Sequence, residues 1–216
     1  MNTLDNNNKL VKRSTYHHGD LYRTLLEAAV QMARQGGADA IVLREVTRQA
    51  GVAPNAAYRH FADRNALLQA VSQAAQAALA VAIEREITEI EKSGDLVEDA
   101  RARLRAVGTG YIRFAQAEPG LFGMAFSIPS DLSNADNPAS AGASGLTPFQ
   151  LLGAALDMLV AAGSLKPERR MYAEIFAWSA VHGFAMLLLE GPLRAFDKTQ
   201  AEFIGQRLID MVERGL

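Results

Sequence analysis

Cysteine is absent from the 216 residues. That removes disulfides, thiolate metal sites and thiol nucleophiles together, and suits a reducing compartment. Histidine is scarce, and His17, His18, His60 and His182 are too scattered to suggest a metal site by spacing. The glycines form no phosphate-binding loop. Strand-like alternation is nearly missing. Ser179 and His182 share a helix-like run, but no acid is placed to orient the imidazole, so no catalytic group is expected and no cofactor is implied.

What is present is an apolar fraction of 49%, too high for disorder over most of the chain. At this length roughly 70% of the unfolded surface can be buried, enough for one domain or two modest ones. Met1 to Ser14 carries basic residues with no apolar segment after them, unlike a signal peptide. Ala66 to Ile83 lacks charge but is mostly alanine interrupted by Gln69, Ser72, Gln73 and Gln76. Ile175 to Leu189 is apolar but short of the roughly 20 residues a spanning helix needs. Both read as buried helices, so no membrane is expected and a cytoplasmic location is.

Residues 1–70 hold nine Lys/Arg against six Asp/Glu, whereas residues 71–216 hold thirteen against eighteen. A basic N-terminal part on an acidic remainder hints at polyanion contact.

Helical periodicity dominates. Asp20 can cap a first helix with Leu21, Leu25, Ala28, Ala29 and Met32 on one face, stopped by Gly36-Gly37. Short helices follow at about Leu43–Ala50 and Pro54–Phe61. A long one spans Asp63 to Glu91, and Glu84, Glu86, Glu89 and Glu91 read as its solvated face. Val97, Ala100, Leu104, Val107, Tyr111 and Phe114 form the seam of the next, closed by Pro119-Gly120. Ser127 to Leu146 is rich in Ser, Ala, Asn, Gly and Pro, and reads as an exposed loop. Helices resume at Pro148–Ala162, Pro167–Leu189 and Thr199–Arg214. The expected class is all-α: a flexible arm (1–14), a three-helix unit (15–65) and a larger helical body (66–216).

The run from Leu43 to Pro54 spaces a helix, a tight turn and a second helix start. Gly51 supplies a positive φ at the turn, and Pro54 fits a first helical position. Val46, Val52, Ala57 and Phe61 can share a core with the first helix. This is a helix-turn-helix arrangement, whose second helix can enter a major groove. Asn55 can pair with adenine or phosphate, and Arg59 can reach guanine. Tyr58 and His60 flank them; Arg44, Thr47 and Arg48 stand on the preceding helix and Arg64 starts the following one. Lys12 and Arg13 of the arm could touch phosphate. By shape alone, a three-helix domain with a solvated basic face remains the alternative.

Residues 16–71 narrow the choice. Gly51-Val52, Tyr58, His60-Phe61, Arg64 and Leu67-Leu68 together resemble the DNA-binding domain of the TetR family of transcriptional regulators. The run Trp178-Ser-Ala-Val-His-Gly-Phe-Ala resembles a ligand-domain subtype in which Trp, His and Gly recur. Carried over by position, Tyr58, His60 and Arg64 would grip phosphates, and Arg44, Pro54, Asn55 and Arg59 would face bases. Three positions depart from the pattern: Leu43 and Ala53 stand where capping hydroxyls are usual, and Ala57 is smaller than usual.

The resemblance implies an effector site and a homodimer. An apolar cavity with a few polar groups is how small-ligand sites are built, and Tyr111, Phe114, Phe122, Trp178 and His182 are the candidate lining. Phe184, Leu188, Ile204, Leu208 and Met211 are the candidate dimer contacts, in two helices that would form a four-helix bundle with the partner. The expected function is a repressor released from a palindromic double-stranded operator by a small apolar effector. The alternatives are a ligand-insensitive or activating DNA binder, and a helical carrier or enzyme with a vestigial helix-turn-helix.

Overall fold

The computed structural model describes residues 18–129 and 131–216. Lys12, Arg13, His17 and the side chains of His18 and Asp20 lie outside it. The described residues form ten α-helices and no strand: α1 (His18–Gly36), α2 (Leu43–Gln49), α3 (Pro54–Ala57), α4 (Arg64–Thr88), α5 (Leu96–Ala117), α6 (Pro119–Phe126), α7 (Pro148–Ala161), α8 (Pro167–Arg170), α9 (Ala173–Leu189) and α10 (Lys198–Gly215).

The N-terminal unit packs as its apolar spacing requires. Leu25, Ala28 and Ala29 of α1 are buried and Leu21 and Met32 half-buried, facing Val46, Ala57 and Phe61, which are at most 3% exposed. The Tyr22 ring stacks on Phe61 at 5.0 Å. Helix α1 starts at His18, so Asp20 lies inside the first turn rather than ahead of it. The residue before α2 is Val42, one position earlier than expected; neither Val42 nor Ala53, before α3, gives a side-chain cap. Helix α3 is also shorter than expected: it ends at Ala57, and the amides of His60 and Phe61 both turn back onto the Ala57 carbonyl. Gly51 sits at φ +70° between α2 and α3, where a Cβ would be strained.

Helix α4 is the axis of the molecule. By length and composition it could cross a membrane, yet it packs against α1, α5, α6 and α7. Its apolar run is therefore a core sequence. Asp63 caps it by accepting from the Ala66 amide at 2.8 Å. Helix α5 lies so close alongside that a Cβ on Gly110 would fall 2.7 Å from Ile83 Cα.

Four expectations for the body are corrected. Pro119 does not merely end α5; it opens α6, taking the first helical position where its missing N–H costs nothing. The helix expected over Pro167–Leu189 breaks at Met171 and Tyr172, whose backbones are extended (ψ 127°) and left-handed (φ 61°). Within the expected 127–146 loop, Pro138–Ser140 is folded onto the body: Ser140 is 2% exposed, and this turn packs on α4. What holds the chain just beyond it is Glu84, whose carboxylate accepts from the Ala143 and Ser144 amides, both at 2.9 Å, and from the Ser144 hydroxyl at 2.6 Å. Glu86 is likewise no idle surface acid, because Arg113 of α5 bridges it to Glu202 of α10 at 2.8 Å on each side.

Candidate functional site

Two regions carry the chemistry, the outer face of α2–α3 and a cavity in the body. On the first, Arg44, Arg48, Pro54, Asn55 and Arg59 are exposed, and Tyr58 is 56% exposed. Arg48 is held toward Glu45 on its own helix at 2.6 Å, an exposed pair that a phosphate can displace at little cost. His60 is half-buried, edge-on to Tyr22 with ring centroids 6.3 Å apart.

One expected contact is corrected. Thr47 is 1% exposed, and its hydroxyl donates to the Arg44 carbonyl one turn back at 2.8 Å, so it cannot reach DNA. Arg64 is exposed and donates to the carbonyls of Ile41 (3.2 Å) and Ala38 (3.0 Å). Its guanidinium ties the start of α4 to the chain between α1 and α2.

The cavity, of about 330 Å³, lies between α5, α7, α9 and α10. Leu104, Val107, Leu152, Val181, Ile209 and Val212 give it an apolar wall, and Tyr111, Phe126, Phe149 and Trp178 its aromatic rings. Gln76 of α4 reaches it, and Asp131, Leu132, Asn134 and Thr147 form its side toward the 127–146 segment. The volume lies at the lower end of small-ligand pockets, roughly 300–1,000 Å³.

Of the five expected lining residues, Tyr111 and Trp178 line the cavity; Phe114, Phe122 and His182 do not. Phe114 is core, 6% exposed. Phe122 is fully buried, with the Tyr111 ring perpendicular at 5.4 Å and Phe126 at 5.2 Å. His182 stands behind the wall, linked to it by hydrogen bonds. The Trp178 indole N–H donates to the Tyr111 hydroxyl at 3.1 Å, and that hydroxyl lies 2.7 Å from His182 Nδ1. Trp178 occupies one lone pair, which leaves the phenolic proton for an unprotonated Nδ1. Burial favours this state twice, lowering the His182 pKa and raising that of the Tyr111 phenol well above its ordinary value.

Sequence reasoning missed Gln76, Phe126, Phe149 and Asp131 as wall residues. Phe126 and Phe149 lie on α6 and α7, and no spacing in the sequence joins them to α5. The expected dimer contacts also divide. Phe184 and Leu188 are 7% and 9% exposed within one subunit, and Ile204 and Leu208 are half-buried. Helix geometry instead leaves Phe176 (65%) and Leu187 on α9, and Phe203 (62%) and Met211 (61%) on α10, facing outward.

The description "Bacterial regulatory proteins, tetR family" matches residues 25–71, and "Tetracyclin repressor-like, C-terminal domain" matches residues 104–212. A protein of unknown function from Rhodococcus sp. RHA1 is 30% identical, with 94% of this chain and 98% of that one covered at a TM-score of 0.65. The transcriptional regulator FadR from Bacillus subtilis, solved with stearoyl-CoA, matches at 15% identity, 90% and 99% coverage and a TM-score of 0.65. PfmR from Thermus thermophilus, a TetR family transcriptional regulator, matches at 19% identity, 89% and 98% coverage and a TM-score of 0.53; these last two likenesses show the fold alone. No curated protein matches. With helix-turn-helix and body each recognised on their own residues, and the C-terminal match alone spanning half of the chain, this protein belongs to the TetR family of transcriptional regulators.

Proposed function

We propose that the chain is a homodimeric repressor that leaves a palindromic operator when a small, largely apolar molecule enters the α5–α10 cavity. Residues 15–65 are the reading head and 66–216 the ligand and dimer body. In the head, Asn55 and Arg59 read bases, Tyr58 and His60 hold phosphates, and Arg44, Arg48 and Pro54 flank them. The exposure of Arg44, Arg48, Pro54, Asn55, Tyr58 and Arg59 supports their part in this assignment. The partner subunit covers the outward face of α9 and α10, as large exposed apolar residues on two adjacent helices favour.

The observation that carries the reading is the continuity of α4. At its start, Arg64 is bonded to the head. Unbroken helix from there places Glu84 about 30 Å away, clamped to the segment that forms one side of the cavity. Between them, Ser72 and Gln76 donate to the Ala125 carbonyl at the end of α6, at 3.1 and 2.9 Å. Helix α6 in turn touches the head: a Cβ on Gly120 would lie 2.3 Å from the Ala33 carbonyl, and Arg34 pairs with Glu118 at 3.2 Å. A ligand that displaces Phe126 or Gln76 therefore pushes on both supports of the head. It shifts the population only by its differential affinity for the released state.

The test begins with DNA selected from a random pool by the purified protein, followed by affinity on the selected duplex with and without cavity ligands. Binding that shows neither sequence preference nor salt dependence refutes the regulator reading. A cavity ligand that leaves operator affinity unchanged returns the ligand-insensitive alternative.

A further inference from the structure

Resting on the reading of the helix-turn-helix as a DNA-binding head, we infer that Tyr22 of α1 is a positioning residue for that head, its ring holding the His60 imidazole at the angle in which it meets a phosphate. Tyr58, Arg59 and His60 stand just past a helix rather than on one: α3 ends at Ala57, and the three follow in a turn. The backbone of that turn folds back onto a single acceptor, the Ala57 carbonyl, which takes the amides of His60 and Phe61 at 2.9 Å each. A contact residue on such a turn is only as well placed as the side chains packed against it. His60 is half-buried and its Nε2 is covered, so the angle of the imidazole decides what it offers a phosphate.

Tyr22 supplies the support from outside the motif. Its ring stacks on Phe61 with centroids 5.0 Å and planes 27° apart. It meets the His60 ring edge-on at 6.3 Å and 61°. Both are arrangements that aromatic quadrupoles favour. Phe61 is 3% exposed, so the stack anchors Tyr22 to the core of the head, and the edge contact passes that anchorage to His60. At 41% exposure the Tyr22 ring adds less to the core than Leu25 or Ala29 of the same helix, which are fully buried. An imidazole already held at one angle loses less freedom on meeting DNA, which raises affinity without a new contact.

The test uses the full chain and a random-sequence duplex at one low salt concentration, since a phosphate contact does not depend on sequence. Tyr22→Leu is expected to weaken this duplex about fivefold, the scale of an aromatic contact. Tyr22→Phe, which keeps the ring and drops the hydroxyl, should bind as the wild type does. In a His60→Ala background Tyr22→Leu should cost little more, because the residue it positions is gone. Circular dichroism at the assay temperature checks that each variant is folded, with Tyr22→Met in its place should Tyr22→Leu unfold. The His60 ring-proton resonances, assigned by their loss in His60→Ala, should move in Tyr22→Leu and hold in Tyr22→Phe. Equal losses in both backgrounds overturn the inference, as does wild-type affinity in Tyr22→Leu. Tyr22→Phe as weak as Tyr22→Leu overturns it in favour of a direct hydroxyl contact. A His60→Ala protein that binds as tightly as the wild type removes the phosphate contact and the inference with it, while the head stays a DNA binder. A wild-type chain that binds no duplex refutes the reading of the head itself.

Discussion

Glu84 is where the body can be loosened without touching its core. Its carboxylate takes three donors from Ala143 and Ser144, so Glu84→Ala strips the 141–146 turn of its fastening to α4. Hydrogen bonds to a charged group contribute about 1.5–3 kcal/mol each in mutational series. Water can replace part of what is lost, because Ala143 and Ser144 lie at the surface. A total of about 2–3 kcal/mol is therefore expected rather than the full sum. Glu84→Gln, which keeps the length but offers one acceptor, should cost about 1–2 kcal/mol. Partial burial raises the Glu84 pKa, but the Ser144 hydroxyl and the two amides outweigh it and hold the carboxyl below its ordinary 4.5. The sign follows: the clamp's contribution is complete above that ordinary value and fades as pH falls through the lowered one. Urea unfolding at pH 7 should separate the wild type from both variants, and the gap to Glu84→Gln should close in acid. Amide exchange at Ala143 and Ser144 should accelerate in Glu84→Ala. A Glu84→Ala protein within about 0.5 kcal/mol of the wild type, with unchanged exchange at those amides, would refute the clamp.

On selected and scrambled duplexes at one salt concentration, Arg59→Ala and Asn55→Ala should each erase about 1–3 kcal/mol of discrimination, whereas Tyr58→Phe and His60→Ala should weaken both duplexes alike. Phe203→Glu, on the outward face of α10, should give folded monomers by sedimentation, while Phe184→Glu should unfold the subunit, since that side chain is 7% exposed. Because the starts of α2 and α3 lack side-chain caps, Val42→Thr and Ala53→Ser should each add about 0.5–1 kcal/mol in urea titrations. His182 has its pKa lowered by burial; from about pH 6.5 downward the unfolded chain takes up the proton first, so stability should fall until the folded value is passed. That slope should vanish in His182→Gln, and its persistence there would assign it to another group.

The head was legible almost residue by residue because its structure is local. Gly51 and Pro54 impose backbone geometry at their own positions, and Val46, Ala57 and Phe61 are near enough in sequence for periodicity to aim them. Thr47 was misread because a polar residue of a motif can serve the motif's own backbone. Its hydroxyl bonds the Arg44 carbonyl one turn back, and nothing in residue type distinguishes that use from a phosphate contact. In the body, helix existence was legible and helix orientation was not. An amphipathic helix such as α5 states which side is buried, and its seam from Val97 to Phe114 holds. A helix apolar all round, such as α9, gives no such direction, so Phe184 and Leu188 were read as the outer face while Phe176 and Leu187 occupy it.

The same limit explains the cavity. Its walls come from α4, α5, α6, α7, α9 and α10 and from the segment before α7, so no window of sequence contains it. Polarity located its edge better than hydrophobicity located its lining. Tyr111, Trp178 and His182 stood out because each carries a group that needs a partner when buried, and each has found one in the others. Satisfying those groups internally has a structural consequence: Trp178 and His182 of α9 both close on the Tyr111 hydroxyl of α5, so the wall that borders the cavity is tied together by the same polar atoms that made these residues legible.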